Sequence, residues 1–346
     1  MENRWNPVVL NLETLEKEDH ATSRAAHGDA DPLAPVSPTR VRLEASTFCQ
    51  LKCPTCETAT GELYKTVPKG FLRFDHFKAF LDEAPGVREI ELSNFGEVFL
   101  NPQLSDIMRY AHEKDVELHM ANGANLNTVR EDVLEDVVKY GLRHIRCSID
   151  GASQETYEQY RRKGNFDAVM GNIDKINEYK KKYNSPYPTL TWQFVVFGHN
   201  EHEISKARAM AEERGMEFLL KLNWDETHSP VKDKEMVRRE MAHGAASRSE
   251  FKEQFGAGYM EHVCHQLWDQ PQINFDGVIW GCCRNNWKPF DANVFEDGLE
   301  GAMNSDQLTY ARAMLTQGAE PRDDVPCTTC SLYKNMRKDG RVLGRS

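Results

Sequence analysis

Three cysteines stand close together at the end of an alternating segment. Cys49, Cys53 and Cys56 have the spacing C-x3-C-x2-C within STFCQLKCPTCETATGEL. Three thiolates on one loop can ligate three irons of a [4Fe–4S] cluster, whose usual complement is four thiolates. The fourth iron then lacks a protein thiolate, and an open metal position marks a reactive site. The alternatives are a zinc knuckle, for which only Glu57 and Glu62 lie nearby to help, or buried structural thiols.

A second group is Cys264, Cys282, Cys327 and Cys330, spaced C-x12-G-x4-C, then 44 residues, then C-x2-C. Gly277 lies in FDGVIWGC, a hairpin pattern that would bring Cys282 beside Cys264. Four thiolates make a closed site, and the local chemistry fits zinc or iron–sulfur equally. Cys147 lies on a strand and is expected in the core. Cys283 adjoins a candidate ligand; its readings are a structural neighbour or a hydrogen-atom donor facing a substrate. The nine cysteines are an odd number in a large chain that opens MENRWNPVVLNLETLEKEDH, too acidic for a secretory signal. That argues for a reducing, cytoplasmic setting and against a disulfide framework.

These thiols need elements to position them. Short alternating segments at 40–46, 87–93, 116–121, 143–150, 189–197 and 216–222 read as strands. Between them, patterns such as DHFKAFLDEA, QLSDIMRYAHEK and FDAVMGNIDKINEYKKKY carry apolar residues at helical spacing. Such alternation over 40–222 predicts a parallel α/β sheet, open or curled into a barrel, with the first cysteines at the C-terminal end of its first strand. Residues 1–39 read as an N-terminal arm and 223–260 as a charged helical connector. Residues 261–346, rich in Cys, Trp, Gly and Pro and short of regular helix, read as a small metal-stabilised module. Its aromatic residues Trp268, Phe275, Trp280, Trp287 and Phe290 are expected to pack it.

The chain has 54 acidic against 43 basic residues, a net charge of −11. That excludes broad nucleic-acid binding and an anionic membrane surface as partners. No apolar run of about eighteen residues is present, so no membrane span is expected.

Taken in order, the motifs resemble the radical SAM (S-adenosylmethionine) superfamily. Cys49-QLK-Cys53-PT-Cys56 has the family spacing, with the common Leu51. NFGEVFLNP, with Gly96 and Glu97, is similar to the GGEP-type segment that holds the SAM amino group. HMANGANL, with Asn122 and Gly123, is similar to the "TNG" segment. CSIDGA, with Ser148 and Asp150, is similar to the segment near the SAM ribose. YRRKGNFDAVMGNI is similar to the segment whose arginine, Arg161 or Arg162 here, faces the SAM carboxylate. Three positions depart from the family: Thr55 stands where an aromatic residue is usual, Phe95 replaces the first glycine, and Val98 replaces the proline.

The resemblance implies a partial (β/α)6 TIM-like barrel with a C-terminal twitch/SPASM-like module. It implies a SAM-binding [4Fe–4S] cluster, a second auxiliary [4Fe–4S] cluster on the later cysteines, and a flavodoxin- or ferredoxin-type electron donor. The implied activity is reductive cleavage of SAM to a 5′-deoxyadenosyl radical, which takes hydrogen from a small polar, sugar- or cyclitol-like substrate. An epimerase and a peptide-maturation enzyme are the alternatives within the family. An iron–sulfur electron carrier or a zinc-binding protein is the alternative outside it.

Overall fold

In a computed structural model, the chain is described at residues 31, 33–256 and 258–343. Most of the arm expected over 1–39 lies outside these residues. Six parallel strands follow one another in space as in sequence: β1 (Arg40–Leu43), β2 (Glu89–Glu91), β3 (Glu117–Ala124), β4 (His144–Ser148), β5 (Thr189–Val196) and β6 (Glu217–Leu222). Five fall within their expected segments, and β3 runs three residues past the expected end at 121. Two further strands extend the sheet beyond β1: β7 (Gln272–Ile273), parallel to β1, and β8 (Ile279–Gly281), antiparallel to β7. The order is β6-β5-β4-β3-β2-β1-β7-β8, so the barrel is partial and the sheet open.

The two faces of the sheet are chemically different because successive side chains point to opposite sides. Val41, Leu43, Ile90, Met120, Ile145, Cys147, Trp192 and Phe194 are buried with helix residues such as Phe77, Ile107, Val137, Ile173 and Ala207 in one core. The opposite face carries Arg42 opposite Glu91, Arg146 opposite Thr191, Ser148 opposite Gln193 and Lys221 opposite Val195. A polar inner face is what a sheet needs if it is to surround a polar ligand.

The helices have local causes. The helix Phe166–Tyr183 begins at Asn165, whose side chain accepts the Ala168 N–H, and ends at Asn184 in the left-handed region, with Lys180, Lys181 and Lys182 in its last turn. The charged connector contains helices Lys234–Glu240 and Arg248–Phe255. The C-terminal region departs from expectation. It holds the regular helices Gly298–Met303, Asp306–Thr316 and Ser331–Lys338. Its apolar residues, Leu308, Leu315 and Tyr333 among them, join the core of the sheet. Trp268, Trp280 and Phe290 are buried as expected.

Gly96 marks the tightest approach near the site. A Cβ there would stand 2.2 Å from the Ser46 carbonyl oxygen and 2.7 Å from that of Phe48. Gly96→Ala should therefore cost roughly 1–3 kcal/mol of stability through overpacking against backbone. Gly171 lies inside the Phe166–Tyr183 helix with nothing within 4 Å of its would-be Cβ. Gly171→Ala should instead stabilise by about 0.5–1 kcal/mol. Denaturant melts of the two variants check the opposite signs.

Candidate active site

The C-terminal ends of parallel strands share one edge, so the loops that follow them meet there. The cysteine loop leaves β1 and is anchored from three sides. The Lys52 N–H donates to the Arg162 carbonyl at 3.0 Å, and the Thr58 hydroxyl donates to the Phe95 carbonyl at 2.5 Å. Gln50 and Asn125, beyond β3, exchange side-chain hydrogen bonds of 2.9 and 3.3 Å. Leu51, Cys53, Tyr160 and Phe197 form a small buried cluster against which Cys49 and Cys56 pack.

The three thiols lie close enough to feel one another. Burial pushes the Cys49 thiol up to about 12, with Glu97 and the neighbouring thiols adding to it. Burial also raises Cys53, while Arg161 pulls against the shift. Such thiols stay protonated until a metal supplies compensating positive charge. Two donors already point at the sulfurs: Arg161 Nη1 lies 3.9 Å from Cys53 Sγ, and Asn125 Nδ2 lies 3.8 Å from Cys49 Sγ. A cradle of mutually influencing thiols with donors aimed at sulfur suits an anionic iron–sulfur cluster.

Arg161 turns inward and Arg162 is exposed. Arg161 Nε sits 2.6 Å from Asp150 Oδ2. Burial opposes the guanidinium charge, but Asp150 and Cys53 hold it protonated. Asp150 Oδ1 also accepts the Val195 N–H at 2.8 Å. Asp150 therefore links the ends of β4 and β5 to the arginine, and through it to the cysteine loop.

Glu97 is buried, and its carboxylate accepts the Phe99 N–H at 3.2 Å and the Asn125 N–H at 2.7 Å. Burial raises it to about 7. Gly96 N–H and Phe95 N–H both point at Glu44, which burial raises to about 8. Asn122 Nδ2 donates to Asn94 Oδ1 at 3.1 Å, and Asn94 Nδ2 donates to the Cys283 carbonyl at 3.2 Å. Ser148 accepts from Gln193 Nε2 at 3.5 Å, close behind Gly123. The structure thus brings Gly96, Glu97, Asn122, Ser148, Asp150 and Arg161 to the edge that carries Cys49, Cys53 and Cys56.

The sequence departures have structural counterparts. Thr55 bonds to the Tyr160 hydroxyl at 2.9 Å, and the Tyr160 ring lies 4.5 Å from that of Phe197. Phe95 packs edge-on against Trp280 of β8, with ring centroids 6.2 Å apart. Val98 is fully buried. Sequence inspection missed Glu44, Asn125, Tyr160 and Phe197. The acidic residue closing RVRLE, the last asparagine of NGAN and the tyrosine opening YRRKGNF stood at or near motifs that could have signalled three of them; Phe197 had no such signal.

The second cysteine group also converges. Cys264, Cys282, Cys327 and Cys330 line one small, mainly apolar cavity with Trp280, Trp287, Phe290 and Tyr333. Burial and the mutual influence of these thiols push Cys264 and Cys327 well up, and Cys282 is pushed up to about 12. Among the described residues, no three His, Cys, Asp or Glu side chains are grouped to hold a single metal ion. Cys283 is half-buried beside the cavity, its N–H donating to Gln266 Oε1 at 2.7 Å. Cys147 is fully buried in the core. A shallow depression of about 800 Å³, lined by Asp174, Asn177 and Arg214, lies on the outer helices away from these groups. Among the described residues, no helix is long and apolar enough to cross a membrane.

Comparison with known proteins bears on the same segment. The profile of the Radical SAM superfamily matches residues 43–211. An AdoMet-dependent heme synthase of Methanosarcina barkeri is 28% identical over 181 residues, covering 52% of this chain and 48% of that protein. A GTP 3′,8-cyclase of Rhizobium etli is 26% identical over 215 residues, covering 56% of this chain and 57% of that protein. The chain thus spans about half the length of the curated relatives it matches. Among solved structures, Streptococcus suis SuiB bound to S-adenosylmethionine superposes with a TM-score of 0.61 at 15% identity, over 93% of this chain and 76% of that one. The AdoMet-bound anSMEcpe structure superposes with a TM-score of 0.55 at 14% identity, over 86% and 84%. These two show a shared fold. The matched segment, residues 43–211, thus belongs to the radical SAM superfamily of enzymes, which bind an iron–sulfur cluster and S-adenosylmethionine.

Proposed function

We propose that the chain is a radical SAM oxidoreductase acting on a small polar substrate of sugar or cyclitol type. Residues 40–222 are its catalytic barrel, 223–260 a connector and 261–346 an auxiliary module of twitch/SPASM type. Cys49, Cys53 and Cys56 hold the cluster that meets SAM. Cys264, Cys282, Cys327 and Cys330 hold a second [4Fe–4S] cluster that accepts an electron. The observation that supports this reading is that Cys264, Cys282, Cys327 and Cys330, far apart in the chain, line one small cavity.

When bound, the first cluster and SAM supply the radical that removes hydrogen from the substrate. The chain's own residues position the partners. The Asp150–Arg161 pair fixes a guanidinium beside Cys53, Glu97 ties the turn after β2 to the end of β3, and Asn122 and Asn94 join the barrel edge to Cys283. A flavodoxin- or ferredoxin-type protein would deliver the electron. Peptide maturation is the second reading, because the fold shared with SuiB, which has been solved bound to its precursor peptide SuiA, accommodates such a substrate.

Iron content tests the two-cluster assignment. Anaerobically reconstituted protein should carry about eight irons, the sum of two four-iron clusters. Joint replacement of Cys49, Cys53 and Cys56 by Ala should halve that number. Zinc at the second site, with about four irons in total, would remove the auxiliary cluster and leave the first intact.

A further inference from the structure

The turn after β2, residues 93–97, is held through its peptide groups. It contains Gly96 and Glu97, the pair that resembles the holder of the SAM amino group. Glu44, buried directly after β1, reaches this turn with both side-chain oxygens. Oε2 accepts the Phe95 N–H at 2.9 Å and Oε1 accepts the Gly96 N–H at 3.2 Å. Arg42, two residues earlier and on the same face of the strand, donates from Nη2 to the Ser93 carbonyl at 3.2 Å.

A trans peptide is planar, and its C=O points away from its N–H. The peptides of this turn are trans. Once the Phe95 and Gly96 N–H groups face Glu44, the carbonyls of the same two peptides, those of Asn94 and Phe95, face away from it. Each finds a partner on a different element. The Asn94 carbonyl accepts from Asn122 Nδ2 of β3 at 3.3 Å. The Phe95 carbonyl accepts the hydroxyl of Thr58 at 2.5 Å, from the short helix Glu57–Thr60 that directly follows Cys56. The Glu97 N–H donates to the Phe48 carbonyl at 2.7 Å. The Phe95–Gly96 peptide is thus gripped from two sides, by Glu44 and by the segment after the third cysteine. Gly96 is also wedged against the segment after β1, where a Cβ would stand 2.2 Å from the Ser46 carbonyl oxygen.

An apolar side chain in place of Glu44 would leave two N–H donors unmatched, and an amide would match one of them. We infer that Glu44 and Thr58 are positioning residues for SAM: by fixing the Phe95–Gly96 peptide from opposite sides, they set how the turn presents Gly96 and Glu97 to the SAM amino group. This role deepens the proposed function and rests on it for placing SAM at this turn.

The test is the dissociation constant of SAM for the anaerobically reconstituted protein, by equilibrium dialysis, beside iron content and the rate of 5′-deoxyadenosine formation. Glu44→Gln keeps the size of the side chain but offers one acceptor to two N–H groups, and should weaken SAM binding about tenfold. Thr58→Val removes the hydroxyl from the other side of the same peptide, and should weaken it by about threefold or more. Both variants should retain the iron of the parent, and at saturating SAM their rates should stay within about twofold of it, because the loss is in binding. Ile173→Val, in the core beneath the Phe166–Tyr183 helix, loosens the fold without touching the turn and should bind SAM as the parent does. Unchanged SAM affinity in either folded variant overturns the inference, and if Glu44→Gln does not fold, Thr58→Val decides. Equal weakening by Ile173→Val overturns it too, by making the effect one of general stability. So does loss of iron from Glu44→Gln or Thr58→Val, which would assign the residue to the cysteine loop instead of the turn. If the parent binds SAM and the variants bind it equally well, the positioning role alone is wrong; if the parent binds no SAM, the proposed function is wrong and the positioning role falls with it.

Discussion

Joint replacement of Cys49, Cys53 and Cys56 by alanine should abolish production of 5′-deoxyadenosine from SAM under reducing conditions. The three thiols sit on one loop after β1, feel one another's charge, and receive donors from Arg161 and Asn125. No other cysteine of the barrel can replace them, because Cys147 points into the apolar core on the far face of β4. Loss of all three leaves no thiolate to hold the cluster, so the effect is a loss to background rather than a partial slowing. The fold should survive, since the loop is also held by Lys52, Thr58 and Gln50 and the main core lies across the sheet. Chromatographic quantification of 5′-deoxyadenosine, with circular dichroism as the folding control, checks this. A variant that cleaves SAM as well as the parent would show that the loop is not the cluster site.

The second large effect separates oxidation from epimerisation. Cys327→Ala should abolish substrate oxidation and destabilise the C-terminal region. Cys327 lines the cavity shared with Cys264, Cys282 and Cys330, so under the proposed function its loss would open the second cluster and remove the acceptor for the electron that an oxidation releases. Cys283→Ala should leave turnover largely intact. Its N–H and carbonyl are fixed by Gln266 and Asn94, and these backbone bonds do not depend on the thiol. If instead the enzyme is an epimerase that uses the Cys283 thiol as hydrogen donor, Cys283→Ala should stop product formation while 5′-deoxyadenosine still forms. Mass spectrometry of the reaction in D2O decides the matter. A product about two mass units lighter, from loss of two hydrogens, supports oxidation; deuterium at an inverted carbon supports epimerisation and overturns the proposed reaction.

Much of the barrel was legible because its determinants are local. Alternation marks β4 and β5 within a residue or two of their ends, and the Phe166–Tyr183 helix runs between two asparagine caps visible in the sequence. The cysteine spacing was equally local, and so was the family match it suggested. Strands β7 and β8 escaped as sheet members because two and three residues cannot display a period. The helices after residue 297 were obscured by averaging composition over a cysteine- and tryptophan-rich region. Asp306–Thr316 nonetheless carries Leu308, Ala311 and Leu315 at helical spacing.

The sequence by itself determined the chemistry on offer: seven cysteines in two groups, a strand–helix alternation to hold the first, and polar motifs at strand ends. Tertiary structure decided which side chains act on one another. The Asp150–Arg161 pair, the Glu97–Asn125 bond and the bonds from Asn122 through Asn94 to Cys283 each join segments separated along the chain. No local pattern encodes such groupings. They arise because parallel strands bring their C-terminal ends to one edge, and because the apolar face must pack against helices and leaves the polar face inward.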